Sequence, residues 1–126
     1  MENKLFDLSK KVSVITGGNG GIGLGIAEGI ASSGGDVAIL ARNEEKNQSA
    51  KELLDKFGTK ILTYKVDISE ESDVKNTIGK VVDDFGRIDS VFANAGINIY
   101  GGSFEDMDTN AYRKVLSVNL DGVFFT

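Results

Sequence analysis

The residues best suited to chemistry begin with a run of glycines near the N-terminus. Residues 16–23 read Thr-Gly-Gly-Asn-Gly-Gly-Ile-Gly and follow a short β-branched segment, residues 12–16. Glycine permits a tight turn and a close approach of backbone to a pyrophosphate, and a helix that begins there offers free N–H groups to phosphate. The glycines fit three spacings of the dinucleotide motif, so the position between strand and helix carries the interpretation. The alternative is a turn with no ligand.

The turn therefore predicts a nucleotide site, and its candidate binding residues are Gly17, Asn19, Gly20, Gly21, Ile22 and Gly23. No Lys-Ser or Lys-Thr follows the glycines, so the turn is not a phosphate loop of the ATPase kind.

A second candidate lies about twenty residues further on, where an apolar run ends in Arg42 and Asn43. In dinucleotide enzymes an acid at this point binds the ribose 2′-hydroxyl of NAD, whereas an Arg accommodates the 2′-phosphate of NADP. No acid ends this run, and a guanidinium is well shaped for phosphate. We therefore predict NADP(H) as the preferred cofactor and NAD(H) as the alternative. The competing interpretation is a solvated Arg42 that pairs with Glu44 or Glu45.

These candidates must be positioned by an alternation of short apolar runs and amphipathic segments. Four runs predict strands at residues 12–16, 37–40, 61–66 and 89–93. The segments between them predict three helices, at 22–33, after an Asn43 cap, and after a Ser69 cap, with a last helix from a Thr109 cap to the chain end. Leu53, Leu54 and Phe57 are expected to form the apolar face of the second helix, and Val74, Ile78, Val81, Val82 and Phe85 that of the third.

Strands separated by single helices imply a parallel sheet with right-handed crossovers. The predicted fold is α/β, an incomplete Rossmann-type doubly wound parallel sheet of strand order 3-2-1-4 with helices on both faces. We expect residues 1–126 to form the dinucleotide-binding half of one such domain, with no second domain among them. Ligands bind such sheets at the carboxyl ends of the strands.

Composition removes several other classes of function. The 126 residues include neither His nor Cys, which excludes Ser-His-Asp triads, Cys-His dyads and metal sites built on those ligands. A net charge of −5 disfavours nucleic acid as a partner. No apolar run reaches membrane-span length, and no signal core follows Met1, so we expect a cytoplasmic protein without a membrane partner. Asn47-Gln48-Ser49 has the form of a glycosylation sequon, which we expect to be idle.

The chain resembles the short-chain dehydrogenase/reductase family. Four segments carry the resemblance along essentially its whole length: residues 16–23, Asp67-Ile68, Asn94-Ala95-Gly96 and residues 118–124. The third and fourth resemble the compact single-domain branch of the family more than its epimerase-like branch. Gly20 stands where many NADP-preferring relatives carry a basic residue, which counts against the NADP prediction.

The resemblance also implies roles for individual residues. Asp67, with Ile68 beside it, would accept a hydrogen bond from the adenine amino group, and otherwise it is a cap or turn residue. Asn94, Ala95 and Gly96 would steady the fourth strand and line the ribose side of the cofactor, and otherwise they form a simple turn. Asn119 would disturb its helix and hold a water in the proton relay. Between apolar neighbours, it is expected to be a buried, hydrogen-bonded amide in either case.

The implied activity is hydride transfer between a nicotinamide cofactor and a small-molecule alcohol or ketone. The family completes its active site with a Ser and a Tyr-x-x-x-Lys pair, and none of Tyr64, Tyr100 and Tyr112 has a Lys four residues later. We therefore expect a parent chain about twice as long, a homodimer or homotetramer, of which these residues alone are inactive. The alternatives are a non-catalytic NADP-binding regulatory or interaction module and a vestigial interaction protein that binds no nucleotide.

Overall fold

A computed structural model describes residues 4–99 and 102–126. Four strands form one sheet: β1 (Val12–Thr16), β2 (Asp36–Ala41), β3 (Ile61–Lys65) and β4 (Ser90–Phe92). Their order is β3-β2-β1-β4, and every neighbouring pair is parallel. The register places Val14 of β1 opposite Ala38 on one side and Val91 on the other. The predicted fold class and strand order are confirmed.

The helices are α1 (Gly21–Ser32), α2 (Glu44–Leu54), α3 (Glu71–Phe85), α4 (Thr109–Leu116) and α5 (Gly122–Phe125). A π-helical segment, Ser117–Asp121, joins α4 to α5. Short 3₁₀ turns occupy Lys4–Phe6, Asp55–Phe57 and Phe104–Asp106. Within residues 4–99 and 102–126, no helix has both the length and the apolar character needed to cross a membrane.

The strands β1 and β2 are covered on both faces, which explains why they are apolar without alternation, whereas Val91 and Phe92 of the edge strand β4 are exposed. On one face Ile15 and Ile39 pack with Ala27 of α1 and Leu54 of α2. On the other, the buried residues of the sheet pack with α3 and with the π-helical segment; this cluster contains Val14, Ala38, Leu40, Val74, Val81 and Val118. The prediction of helices on both faces is therefore correct.

Three helical segments begin or end at the residue that the sequence predicts. The Asn43 side chain caps α2 by accepting a hydrogen bond from the backbone N–H of Lys46 at 2.9 Å. Gly58 and Gly86 end their helical segments with φ of 73° and 79°, a left-handed conformation that favours glycine.

Two predicted caps are wrong. Ser69 does not cap α3, which begins at Glu71: Glu70 stands directly before the helix, and no described side chain accepts a hydrogen bond from the helix there. The N–H and hydroxyl of Ser69 donate to Asp67 Oδ1. Thr109 does not cap α4, because the preceding Asp108 accepts the hydrogen bond from Ala111 N at 3.1 Å. At α4 the carboxylate of Asp108, which accepts more strongly than a hydroxyl, binds the N–H of Ala111 in place of Thr109.

Two residues assigned to apolar faces lie outside them. Leu53 is 56% exposed, whereas the adjacent Leu54 is 1% exposed and packs under β1–β3. Val82 is 45% exposed, while Val81 beside it is fully buried. Successive helix positions point about 100° apart, so only one of two adjacent apolar residues can face the sheet squarely.

Candidate dinucleotide site

A cavity of about 680 Å³ opens at the carboxyl ends of the strands, a size within the usual range of small-ligand sites. The segments that follow β1, β2, β3 and β4 all contribute to its walls, because the carboxyl ends of parallel strands share one edge of a sheet. The structure brings every cofactor residue proposed from sequence to this cavity: Gly17, Asn19, Gly20, Gly21, Ile22, Gly23, Arg42, Asn43, Asp67, Ile68, Asn94, Ala95 and Gly96.

The glycine turn presents the amino end of α1 to the cavity. Gly20 stands before the helix in an extended conformation, and no described side chain caps the helix there. The first turn of α1 contains no acidic residue that would compete with a bound anion. Free N–H groups and the positive end of the helix dipole thus face the cavity, which is the arrangement a pyrophosphate requires.

Two glycines have packing reasons for being glycine. Gly17 has a φ of +66°, and its N–H donates to Leu40 O at 2.9 Å, which fixes the turn to β2. A Cβ on Gly23 would overlap the carbonyl oxygen of Gly17 and lie 2.6 Å from Asn94 Nδ2. The turn, the first strand and the loop after β4 therefore meet at a point with no room for a side chain.

Asn94 fastens the loop after β4 to the glycine turn. Its Nδ2 donates to Thr16 O at 3.0 Å and to Gly17 O at 3.4 Å. The N–H of Ala95 donates to the hydroxyl of Thr16 at 3.0 Å. Asn94 and Ala95 thus do more than form a turn, since they hold the ends of β1 and β4 together beside the cavity.

Asp67 presents a carboxylate at the end of β3. Partial burial by itself raises the pKa of Asp67, but hydrogen bonds from the Ser69 hydroxyl and N–H outweigh it, aided by the positive charges of Lys114 and Arg42, and the pKa falls below its usual value. Both Ser69 donors bind Oδ1, at 3.0 Å and 2.7 Å, so Oδ2 stays outside these two bonds. An ionised, acceptor-only group thus lines this wall of the cavity.

Asn119 lies on the π-helical segment, so the local disturbance of the helix that the resemblance implies is present. Its Oδ1 accepts from Ile97 N, and its Nδ2 donates to Ile97 O, both at 2.8 Å. The expectation of burial is wrong, since Asn119 is exposed, whereas Ile97, to which it bonds, is half-buried. Asn119 does not line the cavity itself but holds the segment 94–97 that does.

The end of the cavity at Arg42 contains a second positively charged side chain, which was not predicted from the sequence. Arg42 is exposed and, among the ion pairs of the described residues, has no carboxylate partner, so it is not engaged by Glu44 or Glu45. Lys46, one helical turn further on, also lines the cavity and was missed. A Lys in the first turn of a helix is unfavourable for the helix dipole, and this signal was available in the sequence.

Asn47, which was not predicted as a site residue, is completely buried. Its side chain bridges the glycine turn to the end of β2, accepting from Asn19 Nδ2 at 2.8 Å and donating to Ala41 O at 3.1 Å.

The sequence contains three tyrosines, none of which has a Lys four residues later. The hydroxyl of Tyr64 donates to Asp84 over a distance of 2.7 Å, and neither Tyr64 nor Tyr112 lines the cavity. Tyr100 lies outside the described residues.

The sequence matches a family model and several known proteins along nearly all of its length. The family model described as short chain dehydrogenase matches residues 11–126. A sorbose reductase of Schizosaccharomyces pombe is 40% identical over 124 residues, covering 97% of this chain and 49% of the relative. An NADP-dependent mannitol dehydrogenase of Hypocrea jecorina is 39% identical over 125 residues, covering 96% of this chain and 47% of the relative.

Solved structures agree with the sequence relatives. An NADPH-dependent 3-quinuclidinone reductase from Rhodotorula rubra superimposes with a TM-score of 0.86 at 41% identity, covering 99% of this chain and 48% of that one. An NAD⁺-bound xylitol dehydrogenase gives a TM-score of 0.91 at 33% identity, covering 94% and 45%. The chain thus spans about half the length of the proteins that it matches.

Proposed function

The chain belongs to the short-chain dehydrogenase family, and from this premise we propose that it supplies the cofactor-binding part of an oxidoreductase that transfers hydride between NADP(H) and a small-molecule alcohol or ketone. One observation carries the proposal. The amino end of α1 and Arg42 line the same cavity, at the carboxyl ends of neighbouring strands, and among the described residues neither has a side-chain cap or a carboxylate partner. Residues 1–126 then act as the dinucleotide-binding half of a Rossmann-type domain.

Each wall of the cavity suits one part of the cofactor. The turn 17–23 would hold the pyrophosphate on backbone N–H groups. Asp67, ionised at neutral pH, would accept from the adenine amino group, with Ile68 beside the ring. Residues 94–96 would line the ribose on the nicotinamide side, where Ala95 and Gly96 leave room for a ligand close to the backbone.

Preference for NADP(H) is supported by charge. Arg42 lacks a carboxylate partner among the described residues, and Lys46 adds a second cation at the same end of the cavity. A 2′-phosphate would meet two positive groups there, with Asn43 beside them. The mannitol dehydrogenase and the quinuclidinone reductase are named for NADP or NADPH, whereas the xylitol dehydrogenase holds NAD⁺.

The nicotinamide, when bound, supplies the hydride chemistry, and the residues of this chain bind and orient it. Asn119 clamps both backbone polar groups of Ile97, so it fixes the loop from which Asn94, Ala95 and Gly96 line the cavity. We also propose that Asn119 holds a water of the proton relay. Relatives named for sorbose, mannitol and xylitol support a polyol or its ketone as the substrate.

The test is a fluorescence titration with NADPH and NADH of the protein produced from its complete coding sequence, together with turnover of a panel of polyols and ketones. The Arg42→Asp variant should bind NADPH about tenfold to hundredfold more weakly, because a charge-assisted bond worth about 1.5–3 kcal/mol is lost. It should bind NADH at least as well as the wild type, because the new carboxylate can accept from the ribose 2′-hydroxyl. The matched control is Arg113→Asp, which makes the same charge change at an exposed position outside the cavity.

Three results would count against the proposal. Absence of saturable binding of either nucleotide would refute the cofactor site. Unchanged NADPH affinity in Arg42→Asp would refute the NADP preference. Saturable binding with no turnover of any alcohol or ketone would indicate a cofactor-binding module in place of a dehydrogenase.

A further inference from the structure

We propose that Asn47 is a positioning residue for the dinucleotide, which holds the pyrophosphate turn in its binding conformation through the side chain of Asn19. This inference rests on the proposed function, since it concerns how the same cavity is kept ready for NADP(H). Asn47 does not line the cavity. It acts from behind the wall, through a residue that does.

Burial makes the Asn47 amide an unusual choice unless it has partners. Asn is not favoured inside helices, and Asn47 has no exposed surface in the second turn of α2. Buried polar groups are retained where they are hydrogen-bonded. Asn47 has such partners on both sides, with Asn19 Nδ2 at 2.8 Å from its Oδ1 and Ala41 O at 3.1 Å from its Nδ2.

The direction of these bonds is fixed by chemistry. The carbonyl of Ala41 can only accept, so Asn47 must turn its Nδ2 toward Ala41 and its Oδ1 toward the glycine turn. Asn19 must then offer its own Nδ2 to Asn47. The chain from Ala41 through Asn47 to Asn19 therefore has one consistent orientation.

The glycine turn, residues 17–23, is held in place by few packing contacts on its outer side. A Cβ added at Gly20 or Gly21 would meet no atom of residues 4–99 and 102–126 within 4 Å, so packing among these residues does not hold the outer side of the turn. At its start the turn is fixed by the bond from Gly17 N to Leu40 O. Gly17 O also accepts from Asn94 Nδ2 at 3.4 Å. Asn19 provides a further attachment, a tether in the middle of the turn that reaches across 28 residues to α2.

Loss of the tether should weaken cofactor binding because the turn must then be ordered by the ligand. Each residue newly ordered on binding reduces affinity by roughly tenfold. The tether also joins the two halves of the cavity, since Ala41 precedes Arg42 and Asn47 follows Lys46. It thereby sets the separation between the pyrophosphate cradle and the two cations at the 2′-phosphate end.

The experiment is a double-mutant cycle of Asn19→Ala and Asn47→Ala in the protein from its complete coding sequence, read as NADPH affinity by fluorescence titration. We expect Asn19→Ala to weaken binding about tenfold and Asn47→Ala about tenfold to hundredfold, with the double variant no weaker than Asn47→Ala. Ser13→Ala is the matched control, since it deletes a buried hydroxyl that bonds Ser90 at 2.7 Å in the same sheet, away from the cavity. It should leave NADPH affinity unchanged.

A second ligand separates positioning from general loosening. The nucleotide 2′-AMP carries the 2′-phosphate and adenine but no pyrophosphate, so Asn19→Ala should leave its affinity unchanged while NADPH affinity falls. Because Asn19 itself lines the cavity, the same comparison is made with Asn47→Ala, and with Asn47→Ser where Asn47→Ala fails to fold.

Additive losses in the cycle, an Asn47→Ala protein that binds NADPH as well as the wild type, or an Asn19→Ala protein that loses 2′-AMP as severely as NADPH would each overturn the inference. If the wild-type protein binds no NADPH, the proposed function fails first and the inference fails with it. If the wild type binds NADPH and the variants bind it equally well, only the inference fails.

Discussion

Helix α1 contains glycines in opposite environments, and substituting them with alanine should change the stability of the protein in opposite directions. At Gly23 the added methyl group overlaps the carbonyl oxygen of Gly17 and lies 2.6 Å from Asn94 Nδ2. At Gly25 and Gly29, on the exposed side of the same helix, it meets no atom within 4 Å. The substitution is chemically identical at all three positions, so the difference isolates the contact.

The magnitude follows from what can move around Gly23. Gly17 is held by its bond to Leu40 O, and Asn94 Nδ2 is held by Thr16 O and Gly17 O, so neither can retreat freely. Overpacking costs about 1–3 kcal/mol, and the displaced Asn94 bond adds about 1 kcal/mol. The higher helix propensity of alanine returns about 1 kcal/mol. Gly23→Ala should therefore destabilise the fold by about 1–3 kcal/mol, whereas Gly25→Ala and Gly29→Ala should each stabilise it by about 0.5–1 kcal/mol.

The assay is urea unfolding of the three variants and the wild type, followed by NADPH titration under conditions in which all are folded. Gly23→Ala should also lose NADPH affinity, because the methyl group pushes the turn that lines the cavity, and the other two should keep it. Equal free energies of unfolding for Gly23→Ala and Gly25→Ala would refute the steric reasoning. Unchanged NADPH affinity in Gly23→Ala would show that the turn adapts without harm to binding.

Two further predictions test contacts away from the glycine turn. Hydrogen bonds from Arg87 and from Val12 N lower the pKa of Asp89 from 3.8 to about 2, so the ionised group contributes stability above pH 4 that is lost as pH falls toward 2. The difference in unfolding free energy between wild type and Asp89→Asn should accordingly shrink over this range, and a constant difference measured by urea unfolding would exclude the assignment. Asn119→Ala removes both bonds to Ile97, so amide hydrogen exchange at Ile97 should accelerate while exchange in the core strands stays as it was. Unaltered exchange at Ile97 would mean that another contact holds this loop.

The strands and the membership of the cavity could be predicted from the sequence because both depend on simple patterns. Short apolar runs such as residues 12–16 are buried on both faces, and each is followed by residues that parallel geometry must bring to one edge. Arg42 and Asp67 lie 25 positions apart in the chain, yet strand order alone places both at the cavity. The placement of these two residues at one edge of the sheet does not depend on side-chain contacts.

The predictions that were wrong concern helix caps and the burial of Asn119, which depend on competition between neighbouring groups. Thr109 and Asp108 are both capping residues one position apart, and only the geometry shows that Asp108 takes the bond. Ser69 is also a typical capping residue, but in the structure its N–H and its hydroxyl both donate to Asp67. The exposure of Asn119 likewise depends on the surroundings of Ile97, which lies 22 residues away.

Asn47 shows how the sequence can indicate a partner without naming it. Asn47, Ala50 and Leu54 are spaced three and four apart, so helical periodicity places them on one face, and all three are buried. An amide on such a face requires a hydrogen-bonding partner, and its position one turn after the Asn43 cap puts it beside the end of β2. Complete burial also removes Asn47 as an acceptor for glycosylation in the folded protein, although the three-residue sequon is intact. The sequon residue that was expected to be idle is therefore a structural link between the glycine turn and the end of β2, two sides of the cavity.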